Sequence, residues 1–281
     1  MALNNFIPAV YAAATLAALD TALAYGSEGV TNRDYEGDVS EFGGSVVINT
    51  IADPIVETYT AYTDMTGGNA ASTPQTMPID QKKAWSLDID DVDQAQARDD
   101  NDFISRVTAR AAHLLAKTAD AYVAAQMAAA VTPGAEVTVD VASEAYDLLV
   151  DLRTSLSQND VPIDGRWVVV TPAFHGWLLK DPRFVSSGDA LGGTTRSSGV
   201  VGNAAGFSVL ESNQVPNGPG AGAGKLLIAG HGIATTYADQ VTKVEALRHP
   251  TKFVDRLRGL HVYGARVVRP TALVARDVIG A

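Results

Sequence analysis

The chain has 281 residues, 46% of them hydrophobic and 19% charged, a composition that allows one large or two modest domains with a substantial core. Its formal net charge of −11 at pH 7 argues against a protein whose main task is coating nucleic acid, since that task requires clustered Lys and Arg. The absence of cysteine excludes a disulfide framework and thiolate chemistry.

The first predicted element is a helix that begins near Pro8 and ends at Gly26. Its apolar run, residues 7–19, has no Lys or Arg before it and therefore lacks the positive region of a secretory signal. The run is also shorter than the ~20 residues needed to span a bilayer. We therefore expect neither export nor a membrane partner.

Two strand-like arms follow between residues 45 and 91, with little core of their own. The outgoing arm covers residues 45–51 and 54–63, the returning arm covers 77–91, and the small polar segment 67–74 is the predicted tip. A two-stranded hairpin with polar residues on both faces is at best marginally stable alone in water. The pattern therefore predicts a β-hairpin that lies against a neighbouring molecule.

The longest predicted helix begins with Asn101 as its N-cap and continues without Gly or Pro to about residue 130. Apolar residues recur at three- and four-residue steps from Phe103 to Ala125. Thirty residues rise about 45 Å at ~1.5 Å per residue, which is long for a globular helix. The pattern indicates a structural beam.

Alternating helices and short buried strands are predicted from residue 140 onward. One predicted helix covers residues 141–157, and a second follows Pro172 and includes Phe174, Trp177 and Leu178. The predicted strands cover 167–170, 207–210 and 225–229. This order predicts an α/β or α+β domain built on a small sheet.

The tail, residues 253–270, predicts two long strands separated by glycine, with Arg256 and Arg258 on one face and Leu257 on the other. The concentrated positive charge of the chain lies in and beside this tail, at Arg248, Lys252, Arg256, Arg258, Arg266 and Arg269. Contact with a nucleic-acid backbone is one interpretation. Pairing with the acidic arm of neighbouring subunits is the favoured one.

Three patterns approach known chemical sites without meeting their requirements. The run 218–225 ends in Lys225 but lacks the flanking residues of a phosphate loop and precedes a strand, so we predict a surface loop. The acidic cluster of residues 88–93 lacks the central Gly and closing Glu of a calcium loop. The five histidines lack zinc spacing; His175 and His231, beside buried strands, leave a small-molecule enzyme as an open alternative. We predict no catalytic, cofactor or metal site.

Several short segments, taken in this order of elements, resemble the Hong Kong 97-type fold of tailed-bacteriophage major capsid proteins. They are residues 3–8, 32–37, 79–91 and 254–265. The resemblance implies an α+β fold with an N-terminal arm (1–41), an extended β-hairpin loop (42–94), a peripheral domain with a long spine helix (95–132 and 250–281) and an axial α/β domain (133–249).

The resemblance implies a structural protein that self-assembles as hexamers and pentamers into an icosahedral shell enclosing phage double-stranded DNA. It implies a place in the virion capsid after assembly in the host cytoplasm. The implied partners are other copies of the chain, a portal protein, DNA held weakly without sequence specificity, and a separate scaffolding protein, since the chain starts almost directly at the arm. A cellular encapsulin-type nanocompartment shell that packages enzymes is the alternative.

The resemblance also implies that the extended loop overlaps an adjacent subunit. The predicted subunit-contact residues are Thr66, Gly67, Gly68, Asn69, Lys82, Lys83, Asp88, Asp90, Arg256 and Arg258. No motif identifies a Lys–Asn isopeptide pair or its catalytic Glu, so we expect no covalent cross-link between subunits.

Overall fold

The computed structural model describes residues 23–34, 44–51, 56, 58–62, 64, 72–90, 100–181, 202–249 and 251–280. Within these residues the strands are β1 Ser45–Ile51, β2 Ser72–Pro78, β3 Gln81–Asp90, β4 Gly134–Thr138, β5 Arg166–Val170, β6 Asn203–Ala204, β7 Phe207–Glu211, β8 Lys225–His231, β9 Thr235–Arg248, β10 Val254–Val267 and β11 Leu273–Ile279. The helices are α1 Asp100–Ala130, α2 Ala142–Gln158 and α3 Pro172–Lys180, with a 3₁₀ turn at Pro270–Ala272. The predicted N-terminal helix lies outside the described residues except for its last positions.

Helix α1 confirms the predicted beam, with 31 residues from Asp100 to Ala130. Its buried side chains recur at three- and four-residue steps and are mostly small: Ala112, Ala116, Ala119, Val123 and Met127. Small side chains let the helix lie close to β10, and the same face joins the main hydrophobic core. One face of α1 is therefore fixed by the rest of the chain.

A six-stranded mixed sheet forms the centre of the main core, in the order β4-β11-β8-β5-β7-β6. All five residues of β5 are buried, as the apolar run 167–170 predicts for a central strand. The fifth residue, Arg166, donates to the carbonyl oxygens of Pro162 and Val161. Helices α2 and α3 contact each other beside this sheet, and the buried face of α2 carries Leu148, Leu149, Leu152 and Leu156. The predicted middle-domain elements are thus confirmed, with boundaries shifted by one or two residues.

The C-terminal residues divide between two sheets, which the sequence did not predict. Strand β10 is one continuous strand through Gly264 instead of the two strands predicted there. Strand β11 lies between β4 and β8 in the six-stranded sheet, because Leu273, Ala275 and Val278 must be buried. Residues 250–281 therefore do not return as one unit to the sheet beside α1. The division into peripheral and axial domains stays a prediction.

A three-stranded antiparallel sheet, in the order β3-β10-β9, packs beside α1. Its register sets Leu257 opposite Leu87 and Gly259 opposite Trp85. Strand β9, which falls in the range predicted for the axial domain, pairs with β10 along almost its whole length. A register shift on β9 beside Leu260 and His261 adds a bulge.

Within the described residues the hairpin consists of β1 and β2, and its base has a core. Strand β1 pairs with β2 from Ser45 opposite Pro78 to Ile51 opposite Ser72, whereas β3 leaves the hairpin and pairs with β10. Residues 72–74 therefore belong to a strand and not to the tip. The buried side chains of this base are Val46, Ile48, Met77 and Ile79, which pack with Ala238, Val262 and Val268. The chain itself supports the base because these apolar residues alternate onto one face.

Candidate subunit interface

The outer face of the three-stranded sheet carries most of the predicted contact residues that the structure describes. Alternation along β3 leaves Lys82, Ala84, Ser86 and Asp88 exposed. The register brings Arg256 opposite Asp88 and Arg258 opposite Ser86 on this same face. The sequence therefore identified the correct face of β10, with Leu257 buried on the other side.

Two arginines of this face are held by carboxylates. Arg256 Nε and Nη2 donate to the two oxygens of Asp88 over 2.5 and 2.6 Å, a bidentate geometry. The hydrogen bond from Arg256 lowers the pKa of Asp88, and the same bond raises the pKa of Arg256. Arg258 Nε and Nη2 donate to Glu245 Oε2 over 2.9 and 2.5 Å.

These acidic partners lie in the same chain, whereas we predicted partners on neighbouring subunits. A third pair within the chain joins Arg248 Nη1 to Asp255 Oδ1 at 3.0 Å. The cause is the antiparallel register, which places charges of adjacent strands opposite one another. The two pairs between β9 and β10 join residues 7 and 13 positions apart, whereas Asp88 and Arg256 are 168 positions apart. Contacts of these residues with a second copy stay a prediction.

A groove of about 450 Å³ lies between the two arginine pairs. Ala84, Ser86 and Leu260 line it, and Arg256, Arg258 and Glu245 stand at its edges. Gly259 and Trp85 also line the groove. Their packing requires glycine at position 259, because a Cβ there would lie 2.4 Å from the indole nitrogen. The small side chains of this face thus leave a concave surface between charged groups.

The remaining predicted contact residues are distributed differently. Lys82 is exposed and Lys83 is half-buried, so the two lie on opposite faces of β3. Asp90 ends β3 opposite Val254. The predicted tip residues Thr66, Gly67, Gly68 and Asn69 lie outside the described residues, as do Asp91 and Asp93 of the acidic cluster.

A buried polar network under the sheet was missed by the sequence reasoning. Tyr237 Oη donates to Asp239 Oδ2 over 3.1 Å, and His261 Nε2 lies 3.1 Å from the same oxygen. Burial alone would raise the pKa of Asp239, but the hydrogen bond and charge of His261, with the charge of Arg33, lower it below its ordinary value. Polar residues that alternate onto one face of a strand, such as Tyr237 and Asp239 of β9, were the sequence pattern that could have indicated this network.

A second buried carboxylate anchors the segment before the hairpin. Asp120 of α1 accepts backbone hydrogen bonds from Ala24, Tyr25 and Gly26 over 2.8, 3.0 and 3.1 Å. Burial raises the pKa of Asp120, and the three N–H donors only partly oppose that shift. The segment continues to Asn32, which exchanges backbone hydrogen bonds with the edge of β9.

The histidines that left a catalytic alternative open have structural contacts. His175 of α3 pairs with Glu211 at the end of β7, and His231 Nδ1 accepts the N–H of Ile233 in the turn after β8. Across the described part of the chain, no group of three or more His, Asp or Glu side chains is placed to hold a metal ion.

The glycine-rich run is a loop before β8, as predicted. Gly220 N donates to Asp277 Oδ2 over 2.7 Å, and Gly222 N donates to Glu136 Oε1 over 3.0 Å. A phosphate loop directs its N–H groups to phosphate, whereas these two N–H groups bind carboxylates of the chain itself. Among the helices that the structure covers, none has the length and apolar character needed to cross a bilayer.

Comparisons with known proteins agree with this fold. The family model described as phage capsid protein matches residues 75–275. A solved chain of Mycobacterium phage Che8 is 32% identical, with 88% of each chain covered and a TM-score of 0.70. The capsid of cyanophage P-SCSP1u matches at 18% identity over 85% of this chain and 84% of that chain, with a TM-score of 0.66.

A virus-like particle from Pyrococcus furiosus matches at 14% identity over 96% of this chain and 99% of that chain, with a TM-score of 0.57. At such identities the cyanophage and Pyrococcus matches show the fold alone. A search of curated protein sequences gives no match. The family model covers well over half of the chain and the Che8 chain is similar along nearly all of it. The chain therefore belongs to the phage capsid protein family and is a major capsid protein with the Hong Kong 97-type fold.

Proposed function

We propose that copies of this chain assemble as hexamers and pentamers into an icosahedral shell that encloses double-stranded phage DNA. The observation that carries this proposal is the 32% identity to the Che8 chain over 88% of both chains, because it extends to the whole folded unit. The net charge of −11 supports weak DNA contacts without sequence specificity, since strong contacts require a basic surface. The shell role needs no catalysis, and we propose none.

We further propose that assembly takes place in the host cytoplasm with a separate scaffolding protein and a portal protein. In this proposal α1 is the spine of the peripheral domain, and the six-stranded sheet, which includes β11, forms the axial domain. The hairpin loop, residues 42–94, overlaps an adjacent subunit. Support for that role comes from β1 and β2, whose buried face rests on the chain's own sheet at Val262 and Val268 and so holds the loop in one direction.

Electron microscopy of the purified full chain under assembly conditions, with and without co-expressed scaffolding protein, tests the shell. We expect closed particles with five-fold and six-fold clusters of subunits. Only small soluble oligomers in both preparations would contradict the proposal. Deletion of residues 66–71, which leaves β2 intact, should impair assembly while the six-stranded sheet stays folded.

The alternative function is a cellular nanocompartment that packages enzymes. The likeness to the virus-like particle from Pyrococcus furiosus, at 14% identity, shows the shared fold and does not favour either content. Extraction of particles from the native host separates the two functions. Genome-length, nuclease-protected DNA supports the virion, and a protein cargo without such DNA supports the compartment.

A further inference from the structure

Large apolar side chains are exposed in the connection that follows β1. Val56, Tyr59 and Tyr62, spaced three residues apart, are 92%, 74% and 106% exposed. Side chains with such exposure contact almost nothing in their own chain. Grouped exposed apolar residues mark interaction sites, and Tyr is enriched among the residues that dominate binding energy at protein interfaces.

The groove on the outer sheet face has the chemistry to receive a tyrosine ring. Ala84 and Ser86 are too small to fill it, and Leu260 adds an apolar wall. Asp88 and Glu245 fix the guanidinium groups of Arg256 and Arg258 at its edges, and planar guanidinium groups stack on aromatic faces. The volume of about 450 Å³ lies within the ~300–1,000 Å³ of typical binding pockets.

The groove and the far end of the hairpin lie toward opposite ends of β10. The base of the hairpin crosses β10 at Gly264, where an added Cβ would lie 2.4 Å from the carbonyl oxygen of Pro78. Gln75, three residues nearer the far end of β2, donates to the carbonyl oxygen of Val268 over 3.4 Å. The hairpin therefore extends from Gly264 toward Val268, away from the groove at Arg258. Val268 lies ten residue steps after Arg258, just beyond the end of β10, which is about 33 Å at ~3.3 Å per residue.

We propose that Tyr59 and Tyr62 anchor the loop of one copy in the groove of a neighbouring copy. The inference rests on the proposed function of the loop and adds the side chains and the receiving surface. A second copy is the occupant because a capsid protein associates with itself and each copy carries both an open groove and exposed tyrosines. A ring stacks on the guanidinium group of Arg258 while its hydroxyl donates to Glu245. Each copy gives a loop and receives one, so the contact is head-to-tail and closes into rings around a rotation axis.

Cross-linking tests the contact directly, since the native chain has no cysteine. Full-length Asp64→Cys and Ser86→Cys proteins are mixed, assembled and treated with a short bismaleimide. Asp64 is exposed and lies two residues after Tyr62, so both tyrosines are kept. The matched control uses Ile163→Cys in place of Ser86→Cys. Ile163 is also exposed, but it lies between α2 and β5 and not in the three-stranded sheet that carries the groove. We expect a heterodimer in the first mixture and, with both cysteines in one chain, a ladder of covalent oligomers.

An assembly measurement accompanies the cross-linking. Tyr59→Ala/Tyr62→Ala should raise the concentration needed for particle formation by about 30-fold or more, the change expected for a dominant interface side chain. The thermal unfolding of unassembled subunits should not change, and Ile163→Ala should leave both measurements as they are.

The outcomes separate this inference from the proposed function. Normal particle formation by Tyr59→Ala/Tyr62→Ala, together with no more cross-linking at Ser86→Cys than at Ile163→Cys, would overturn the tyrosine contact. The proposed shell function would not be affected by that result. Unsubstituted protein that never forms particles would overturn the shell. Selective cross-linking at Ser86 within small oligomers would then still support the contact.

Discussion

Replacement of Asp120 by alanine is expected to detach the segment before the hairpin from α1. The carboxylate is buried, and its Oδ1 accepts the N–H groups of Tyr25 and Gly26 while Oδ2 accepts that of Ala24. Alanine offers no acceptor. The variant therefore leaves backbone donors without partners at a site from which water is largely excluded.

The size of the effect follows from the burial of the donors. The hydrogen bonds to Tyr25 and Gly26 are buried, and a buried donor without a partner costs about 1–3 kcal/mol, so the two contribute about 2–6 kcal/mol. The bond to Ala24 is only partly buried and can be replaced by water. Removal of the buried charge, whose burial raises the pKa of Asp120, offsets part of the loss. We expect a net loss of about 2–4 kcal/mol.

Asp120→Asn is the matched control. Its amide oxygen can keep the bonds to Tyr25 and Gly26 and loses only the bond to Ala24, so we expect a loss of about 1 kcal/mol. Urea unfolding of unassembled subunits, followed by circular dichroism, gives the free energies, and hydrogen exchange reports the amides of residues 24–26. Equal stability of the two variants, with these amides still protected, would refute the reasoning.

Three further outcomes are expected. Gly264→Ala places a Cβ 2.4 Å from the carbonyl oxygen of Pro78. It should lower the free energy of urea unfolding by about 1–3 kcal/mol and impair particle formation. The control Gly176→Ala in α3 has open space around its added Cβ and should raise that free energy by ~0.5–1 kcal/mol. Tyr237→Phe removes the donor to Asp239 Oδ2 and should cost about 1 kcal/mol in thermal unfolding; an unchanged midpoint would contradict the network. The pKa of Asp239 is lowered on folding, so its stabilisation is present above the ordinary value of 3.8 and is lost as pH falls through the folded pKa. Urea unfolding over that acidic range should show less pH dependence for Asp239→Asn than for the native chain.

Much of the outer face of the three-stranded sheet was predictable, because strand alternation is a local property. The sequence placed Arg256 and Arg258 on one side of a strand and Leu257 on the other, and β10 confirms this placement. It also selected Asp88 as a charged residue of the loop. It did not supply the partner of Arg256, because Asp88 lies 168 residues away and no local pattern encodes that pairing. Glu245 is only 13 residues from Arg258, but the pairing of β9 with β10 that brings them together was not predicted.

The exposed tyrosines and the groove also could not be predicted from local sequence patterns. The sequence around a loop tyrosine does not distinguish a buried side chain from an exposed one. Only the fold therefore identifies Tyr59 and Tyr62 as exposed. The groove depends on Ala84 of β3 lying opposite Leu260 of β10. That pairing exists only because β3 leaves the hairpin and joins the tail.

The sequence by itself determined the helices α1 to α3, the short strands β5, β7 and β8 and the polarity of each face of β10, since periodicity and capping act over a few residues. Tertiary structure alone decided which strands pair. It assigned β3 to β10 instead of β1, inserted β11 between β4 and β8, and brought His261 to Asp239. The physical reason is that pairing is selected by the burial of whole faces against one another, and the free energy of that burial depends on residues that are distant along the chain.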